Sequence, residues 1–279
     1  MTISLLPDIA GALEWARKRI NAVDARLLLR HVLQCPASRL VGFPESRLDP
    51  AQWSEFRALV ERRAAGEPVA YLVGERAFYG YDLVVTPAVL IPRPDTELLV
   101  ELALAHFGDK PGARVLDLGT GSGALAVALA LELPGAEVTA VDRSREALLV
   151  AMANAARLGA SVSFVLSDWF SALEGDRFQL IVANPPYIAA SDPHLEQGDL
   201  RFEPQTALAS GPEGLDDLAQ IATEAPHHLE AGGWLFMEHG YDQASRVRSL
   251  LTDAGFASIA SHRDLAGIER VTGGQWLAR

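Results

Sequence analysis

The sequence predicts an α/β protein: a mainly parallel sheet with helices on both faces, preceded by a small helical domain and joined to it by a β-hairpin. Three observations carry this. From residue 113 onward, short apolar runs alternate with helical stretches. Residues 1–68 show helical spacing alone, and residues 69–90 alternate aromatic and branched side chains around glycine turns. At 279 residues the chain is long for one compact domain and comfortable for two.

In the first domain, Ile9, Leu13, Ala16 and Ile20 form an apolar face at helical spacing. Asn21 or Asp24 can cap the next helix, ahead of Ala25, Leu27, Leu28, Leu29, His31, Val32 and Leu33. Asp49-Pro50 is a stronger start signal, for a helix carrying Trp53, Phe56, Leu59 and Val60 and stopped by Gly66. With no chemistry of its own, this unit is read as packing or partner docking. Val69 to Val85 then reads as extended, with Gly74 and Gly80 as turns. Residues 91–279 make up the second domain. In Ile91-Pro92-Arg93-Pro94-Asp95-Thr96-Glu97 the prolines enforce an extended entry and Asp95 can cap a helix to about Phe107. The segment is either a rigid linker or a wall of the site carrying Arg93. Strands are expected at 113–118, 137–142, 162–166, 178–184, 233–239, 257–263 and 269–277, and helices at 123–133, 144–158, 215–229 and 243–254. Residues 188–214 have no clear period and suit a lid or substrate loop.

The chain is organised around Asn184-Pro185-Pro186-Tyr187, which ends the apolar run Phe178 to Ala183. Two prolines cannot continue a ladder, so a strand must stop there. Read plainly, this is a strand-ending turn. Read chemically, it is a site for a planar NH2 group: Asn184 Oδ1 and the Pro185 carbonyl accept its two protons, Pro186 holds the turn, and Tyr187 packs on its plane. Ligands of open α/β sheets bind at that edge.

A second motif lies upstream. Val115 to Ala124 runs from strand to helix through Gly119-Thr120-Gly121-Ser122-Gly123. Glycines permit a sharp turn and close ligand approach, and Asp142 at the next strand end suits ribose hydroxyls or a helix cap. The loop also satisfies a dinucleotide pattern. Three features favour S-adenosylmethionine over NAD. Asp117 precedes the glycines and can help hold the cationic end, the third glycine suits a ligand without pyrophosphate, and a hydride-transfer enzyme has no use for the NH2-gripping tetrapeptide. Asp168 and Trp169 end the strand between, where they suit the adenine amino group and its pocket, or a turn carboxylate and a core tryptophan.

Together, the glycine loop, Asp142 and the tetrapeptide resemble the class I amino-methyltransferases with a Rossmann-like sheet. A wider set is similar to the bacterial release factor glutamine methyltransferases, the PrmC or HemK family. That set is Gly66-Glu67-Pro68, residues 91–97, Asp168-Trp169-Phe170, Arg201-Phe202-Glu203-Pro204 and Glu269-Arg270-Val271-Thr272. The resemblance implies that Gly119 to Gly123, Asp142, Trp169 and Asn184 contact S-adenosylmethionine. It also implies that Asn184 to Tyr187 hold the glutamine of the Gly-Gly-Gln motif of class-1 peptide chain release factors. Adenine-specific DNA methyltransferases use a similar tetrapeptide on a flipped base, and an inactive methyltransferase fold serving as a binding module is a third reading.

Composition bounds these readings. The formal charge of -12, from 36 acidic and 24 basic residues, argues against direct nucleic-acid binding. No apolar run is long enough to span a membrane, and the N-terminus lacks a signal-peptide layout. Cys35 is the single cysteine, which fits a reducing, cytoplasmic home. No metal motif appears, and His227-His228 is read as solvated. Gly273-Gly274-Gln275 repeats the substrate tripeptide; coincidence or self-methylation would explain it.

Overall fold

The computed structural model describes residues 6–278. The chain divides into two units after Gly74. In the first, helices α1 (Ile9–Arg17), α2 (Ala22–Leu33), α3 (Ala37–Gly42), α4 (Pro50–Ala64) and α5 (Val69–Val73) enclose a core that includes Ile9, Leu28, Leu29 and Phe56. Caps set their starts. Asn21 Oδ1 accepts from the Val23 and Asp24 amides, so Asn21 is the cap of α2. Asp49 and Gln52 form a reciprocal capping box on α4, with Pro50 in its first turn. Leu27, expected among the apolar residues of α2, is 39% exposed.

Val69–Val73 corrects the expected extended stretch: it is helical, entered at Pro68 and ended by left-handed Gly74. Its branched and aromatic residues mimic a strand, but the flanking proline and glycine punctuate a short helix. The hairpin is β1 (Glu75–Phe78) with β2 (Tyr81–Val84), and it is part of the second unit. Buried Asn154 clamps it there, with Oδ1 accepting from Val84 N at 2.7 Å and Nδ2 donating to Val84 O at 2.9 Å.

A turn of 3-10 helix, Pro94–Thr96, precedes α6 (Glu97–Phe107). Asp95 therefore lies inside that turn and caps nothing, correcting the expectation; its carboxylate instead stands 3.5 Å from the Arg270 guanidinium. There follow β3 (Arg114–Leu118), α7 (Ala124–Glu132), β4 (Glu137–Asp142), α8 (Arg145–Leu158), β5 (Val162–Leu166), β6 (Phe178–Ala183), α9 (Asp216–Glu224), β7 (Leu229–Glu238), α10 (Ala244–Asp253), β8 (Ala257–Arg263) and β9 (Glu269–Gln275). The sheet order is β5-β4-β3-β6-β7-β9-β8, parallel except that β9 runs against both neighbours.

Apart from Gln179, whose side chain accepts from Arg114 N at 3.1 Å, the run Phe178 to Ala183 is apolar because β6 is covered on both faces. Leu180 and Val182 pack with α6 and α7, while Ile181 and Ala183 pack with α9 and α10. Burying each large side chain contributes roughly 1.5–3 kcal/mol. The chain winds outward through β4 and β5 and then returns to place β6 beside β3. That reversal opens a crevice between the C-terminal ends of β3 and β6, where the glycine loop and the tetrapeptide emerge. Residues 188–214 form short 3-10 turns and loops. Among the described residues no helix is long and apolar enough to cross a membrane.

Candidate active site

A cavity of about 300 Å³ fills the crevice. Its wall brings together Gly119, Gly121, Asp142, Asp168, Trp169, Asn184 and Pro186. The expected residues Thr120, Ser122 and Gly123 do not line it. The Thr120 hydroxyl donates to Asp117 Oδ2 at 2.6 Å, the Ser122 carbonyl accepts from Asn154 Nδ2 at 2.8 Å, and a Cβ on Gly123 would sit 3.0 Å from that of Ala151. Gly119 and Gly121 thus face the ligand space, while Thr120 ties the loop back to β3 and Ser122 and Gly123 meet α8. Pro185 is buried and lies off the wall, as does Tyr187.

The loop is held by two acids with different environments. Asp142 Oδ2 accepts from Gly121 N at 2.9 Å and Oδ1 from Ser144 N at 2.8 Å, while the cap of α8 is Ser144 itself. Asp117 does not reach the cavity wall. It is 1% exposed, its Oδ1 has no partner among the described residues, and burial pushes its carboxyl up to about 7 against the Thr120 and Ala126 hydrogen bonds. What the structure shows of Asp117 is its hold on the loop, through the Thr120 hydroxyl and the Ala126 amide.

Trp169 is left-handed, with φ at 45°, a conformation that costs a bulky residue about 1–3 kcal/mol. Ser167 Oγ donates to the Trp169 carbonyl at 2.8 Å, and the indole donates to Asp217 Oδ1 at 3.1 Å. These bonds lay the ring against Gly119, where a Cβ would come within 3.2 Å of it. Glycine at that position therefore serves both the backbone, with φ at 70°, and the ring.

The side chains of the tetrapeptide are tied down from two elements, the turn Pro94–Thr96 and the end of β7. Asn184 Nδ2 donates to the Thr96 hydroxyl at 3.1 Å, which leaves Oδ1 as the acceptor of a side chain on the cavity wall. No backbone hydrogen bond among the described residues ends on the Pro185 carbonyl. The Tyr187 hydroxyl donates to Glu238 Oε1 at 3.1 Å, and burial together with that acid raises its pKa. Glu238 is itself 1% exposed; burial pushes it up to about 7, opposed by the Thr96 and Tyr187 hydroxyls and Arg270 and reinforced by Asp95.

Arg93 is placed by pairing with Glu203, whose other oxygen accepts from Ile91 N at 3.2 Å. Burial raises the Glu203 pKa and Arg93 offsets it. The segment 91–97 is thus fastened to the loop 188–214, and Arg143 donates to Thr206 O at 3.1 Å nearby. The repeated tripeptide is remote from all this. Gln275 pairs with Trp234 midway along β7, is absent from the cavity wall, and its amide donates to Gly232 O at 3.0 Å.

Two family models match the chain: the PrmC N-terminal domain over residues 9–74 and the methyltransferase small domain over 95–199. The release factor glutamine methyltransferase of Pseudomonas aeruginosa is 54% identical over 275 residues, which cover 98% of this chain and 96% of that one. The protein of the same name from Xylella fastidiosa is 50% identical over 97% of this chain and 98% of its own. The chain belongs to the release factor glutamine methyltransferase family. That of Bordetella pertussis is 54% identical over 90% of this chain and 94% of its own. A Pyrococcus furiosus methyltransferase, 19% identical with a TM-score of 0.55 over 81% of this chain and 100% of that one, shares the fold.

For a release factor glutamine methyltransferase, the sequence motifs mark the cavity wall but miss the residues behind it. Thr96, Asn154, Asp217 and Glu238 stand behind that wall, and the motifs assign none of them a role. Glu238 had one visible signal: an acid ends the otherwise apolar run Trp234 to Met237.

Proposed function

We propose that this protein transfers a methyl group from S-adenosylmethionine to the side-chain amide nitrogen of the glutamine in the Gly-Gly-Gln motif of class-1 peptide chain release factors, in the cytoplasm. One observation carries the reading: a carboxamide oxygen and an unbonded proline carbonyl stand at the strand end that borders the glycine-lined cavity. The names and identities of the relatives point the same way and do not favour a DNA methyltransferase or an inactive binding module.

The cavity fits the nucleoside. Asp142 keeps lone pairs for ribose hydroxyls beyond its two backbone bonds, Asp168 is exposed for an amino group, and Trp169 supplies a flat apolar wall. When bound, S-adenosylmethionine supplies an electrophilic methyl carbon. The chain's task is to aim a poor nucleophile, since an amide nitrogen has its lone pair delocalised into the carbonyl. Asn184 Oδ1 and the Pro185 carbonyl accept the two N–H protons, which raises electron density on nitrogen and fixes its direction. Positioning of this kind lowers barriers by about 7–11 kcal/mol, and fixed dipoles add to it. That nitrogen would take the methyl carbon of bound S-adenosylmethionine as the sulfur–carbon bond breaks, and the cationic methylated amide would then lose its proton to water, so the chain need supply no strong general base.

The test is methyl incorporation from labelled S-adenosylmethionine into a class-1 release factor, into the same factor with its motif glutamine changed to alanine, and into duplex DNA. Label in the first alone is expected. Label in DNA, or in the altered factor at the same rate, rules the assignment out.

A further inference from the structure

One side chain closes the loop that follows the tetrapeptide. Gln243 opens α10, where its backbone carbonyl accepts from Val247 N at 3.0 Å, and the residue is buried. Its Nε2 donates to Tyr187 O at 3.0 Å and to Gly214 O at 3.1 Å, while its Oε1 accepts from Gly240 N at 2.8 Å. A backbone N–H only donates and a carbonyl only accepts, so these partners fix which way round the carboxamide lies. Tyr187 and Gly214 stand at the two ends of the loop 188–214, so one NH2 group holds both.

The neck of that loop is tight. A Cβ on Gly214 would come within 2.2 Å of Tyr187 O, and φ there is 71°, so only glycine lets the chain return at this point. Beyond the neck, Ile188 N donates to Leu208 O at 2.9 Å and Ala190 N to Gly211 O at 2.8 Å, which folds the loop back on itself. The part of the loop that meets the cavity, at Pro204 and Thr206, is fastened separately, by Arg93 to Glu203 and by Arg143 to Thr206 O.

What holds Tyr187 bears on the carbonyl two residues before it. Pro185 and Pro186 have no amide to donate, and each has φ locked near about −65°. Upstream the turn is fixed by β6, which ends at Ala183. Downstream Gln243 holds the Tyr187 carbonyl and Glu238 holds its hydroxyl. With both ends held and two stiff residues between them, the Pro185 carbonyl has little freedom to turn.

We propose that Gln243 is a positioning residue for methyl transfer: by closing the neck at Tyr187 and Gly214 it keeps the Pro185 carbonyl aimed at the substrate amide. The proposal rests on the methyl-transfer reading above. It adds a residue that is absent from the cavity wall and touches none of the reacting atoms.

The experiment measures methyl transfer to a release factor by the full chain, with thermal melting and S-adenosylmethionine calorimetry alongside. Counting kcat per molecule that binds the cofactor keeps unfolded protein from lowering it. Gln243→Met keeps the length of the side chain and removes its donor and its acceptor. Its kcat is expected to fall by about tenfold or more. The cofactor Kd is expected to stay within about threefold, because the cavity part of the loop keeps its own ties. Gly240→Ala leaves the carboxamide in place but sets a Cβ 3.0 Å from its Oε1, and a fall of about threefold or more in kcat is expected. Wild-type kcat in Gln243→Met overturns the proposal, as does a cofactor Kd that rises as far as kcat falls. If Gln243→Met does not fold, Gly240→Ala decides, and wild-type kcat there overturns it. Failure of wild type to methylate the factor would instead undo the substrate reading, so the two failures are distinct.

Discussion

The carboxylate of Asp142 binds two loops at once: Oδ2 takes the Gly121 amide at 2.9 Å and Oδ1 takes the Ser144 amide at 2.8 Å. The acid that suits the ribose is therefore also the clasp that shapes the glycine loop. Asp142→Asn keeps one acceptor and turns an NH2 toward the other amide. Hydrogen bonds to charged groups contribute about 1.5–3 kcal/mol, so cofactor affinity is expected to fall by about tenfold to a hundredfold. Titration calorimetry with S-adenosylmethionine checks this; an unchanged Kd would show that Asp142 acts on neither.

Asn154 is fully buried and joins the hairpin end at Val84 to the glycine loop at Ser122. Asn154→Leu matches its size but strands one amide and two carbonyls, each costing about 1–3 kcal/mol. A loss of at least about 2 kcal/mol from the larger unit in urea denaturation is expected. A loss below about 0.5 kcal/mol would mean those backbone groups find other partners.

Asp117 makes stability depend on pH. Its carboxyl sits at about 7 in the folded chain against 3.8 ordinarily, raised by burial and then by Asp142, with Thr120 and Ala126 pulling it down. Between those values the unfolded chain has released the proton and the folded chain keeps it, so stability falls as pH rises through the window. The favourable contribution is whole below about 4 and gone above about 7. Asp117→Asn does not titrate, and is expected to gain on wild type over that window by on the order of 4 kcal/mol. Parallel melting curves of the two proteins from acid to neutral pH would exclude the effect.

Arg93 and Glu203 couple the segment entering α6 to the loop that follows the tetrapeptide. The Glu203 side chain is fully buried, so Arg93→Ala leaves a buried acid without its cation. The expected cost is about 3 kcal/mol, at the low end for such pairs because Arg93 itself is one-third exposed. A rise in KM for the protein substrate is expected with it. A variant as stable as wild type would show that the pair is bridged or replaceable.

Much of the fold was legible because its signals are local. The apolar run to Ala183 stopped by two prolines, the glycines after Leu118 and the Asp49-Pro50 start each declare themselves within a few residues. Val69–Val73 misled because alternating branched residues suit a short helix as well as a strand. The loop residues Thr120, Ser122 and Gly123 differ from Gly119 and Gly121 in a way the sequence does not display. A motif marks a loop, but only the folded backbone says which of its members face inward. Asn154 and Val84 are 70 residues apart and Asn184 and Thr96 are 88 apart, so no local pattern could have joined them.

The most direct measurement is mass spectrometry of the release-factor peptide that carries the Gly-Gly-Gln motif, after incubation with S-adenosylmethionine and either wild-type enzyme or Asn184→Ala. With wild type, the glutamine side chain is expected to gain a single methyl group on its nitrogen. With Asn184→Ala, a protein that keeps its melting behaviour should leave that peptide unmodified. A fully methylated glutamine from the alanine variant would contradict the account.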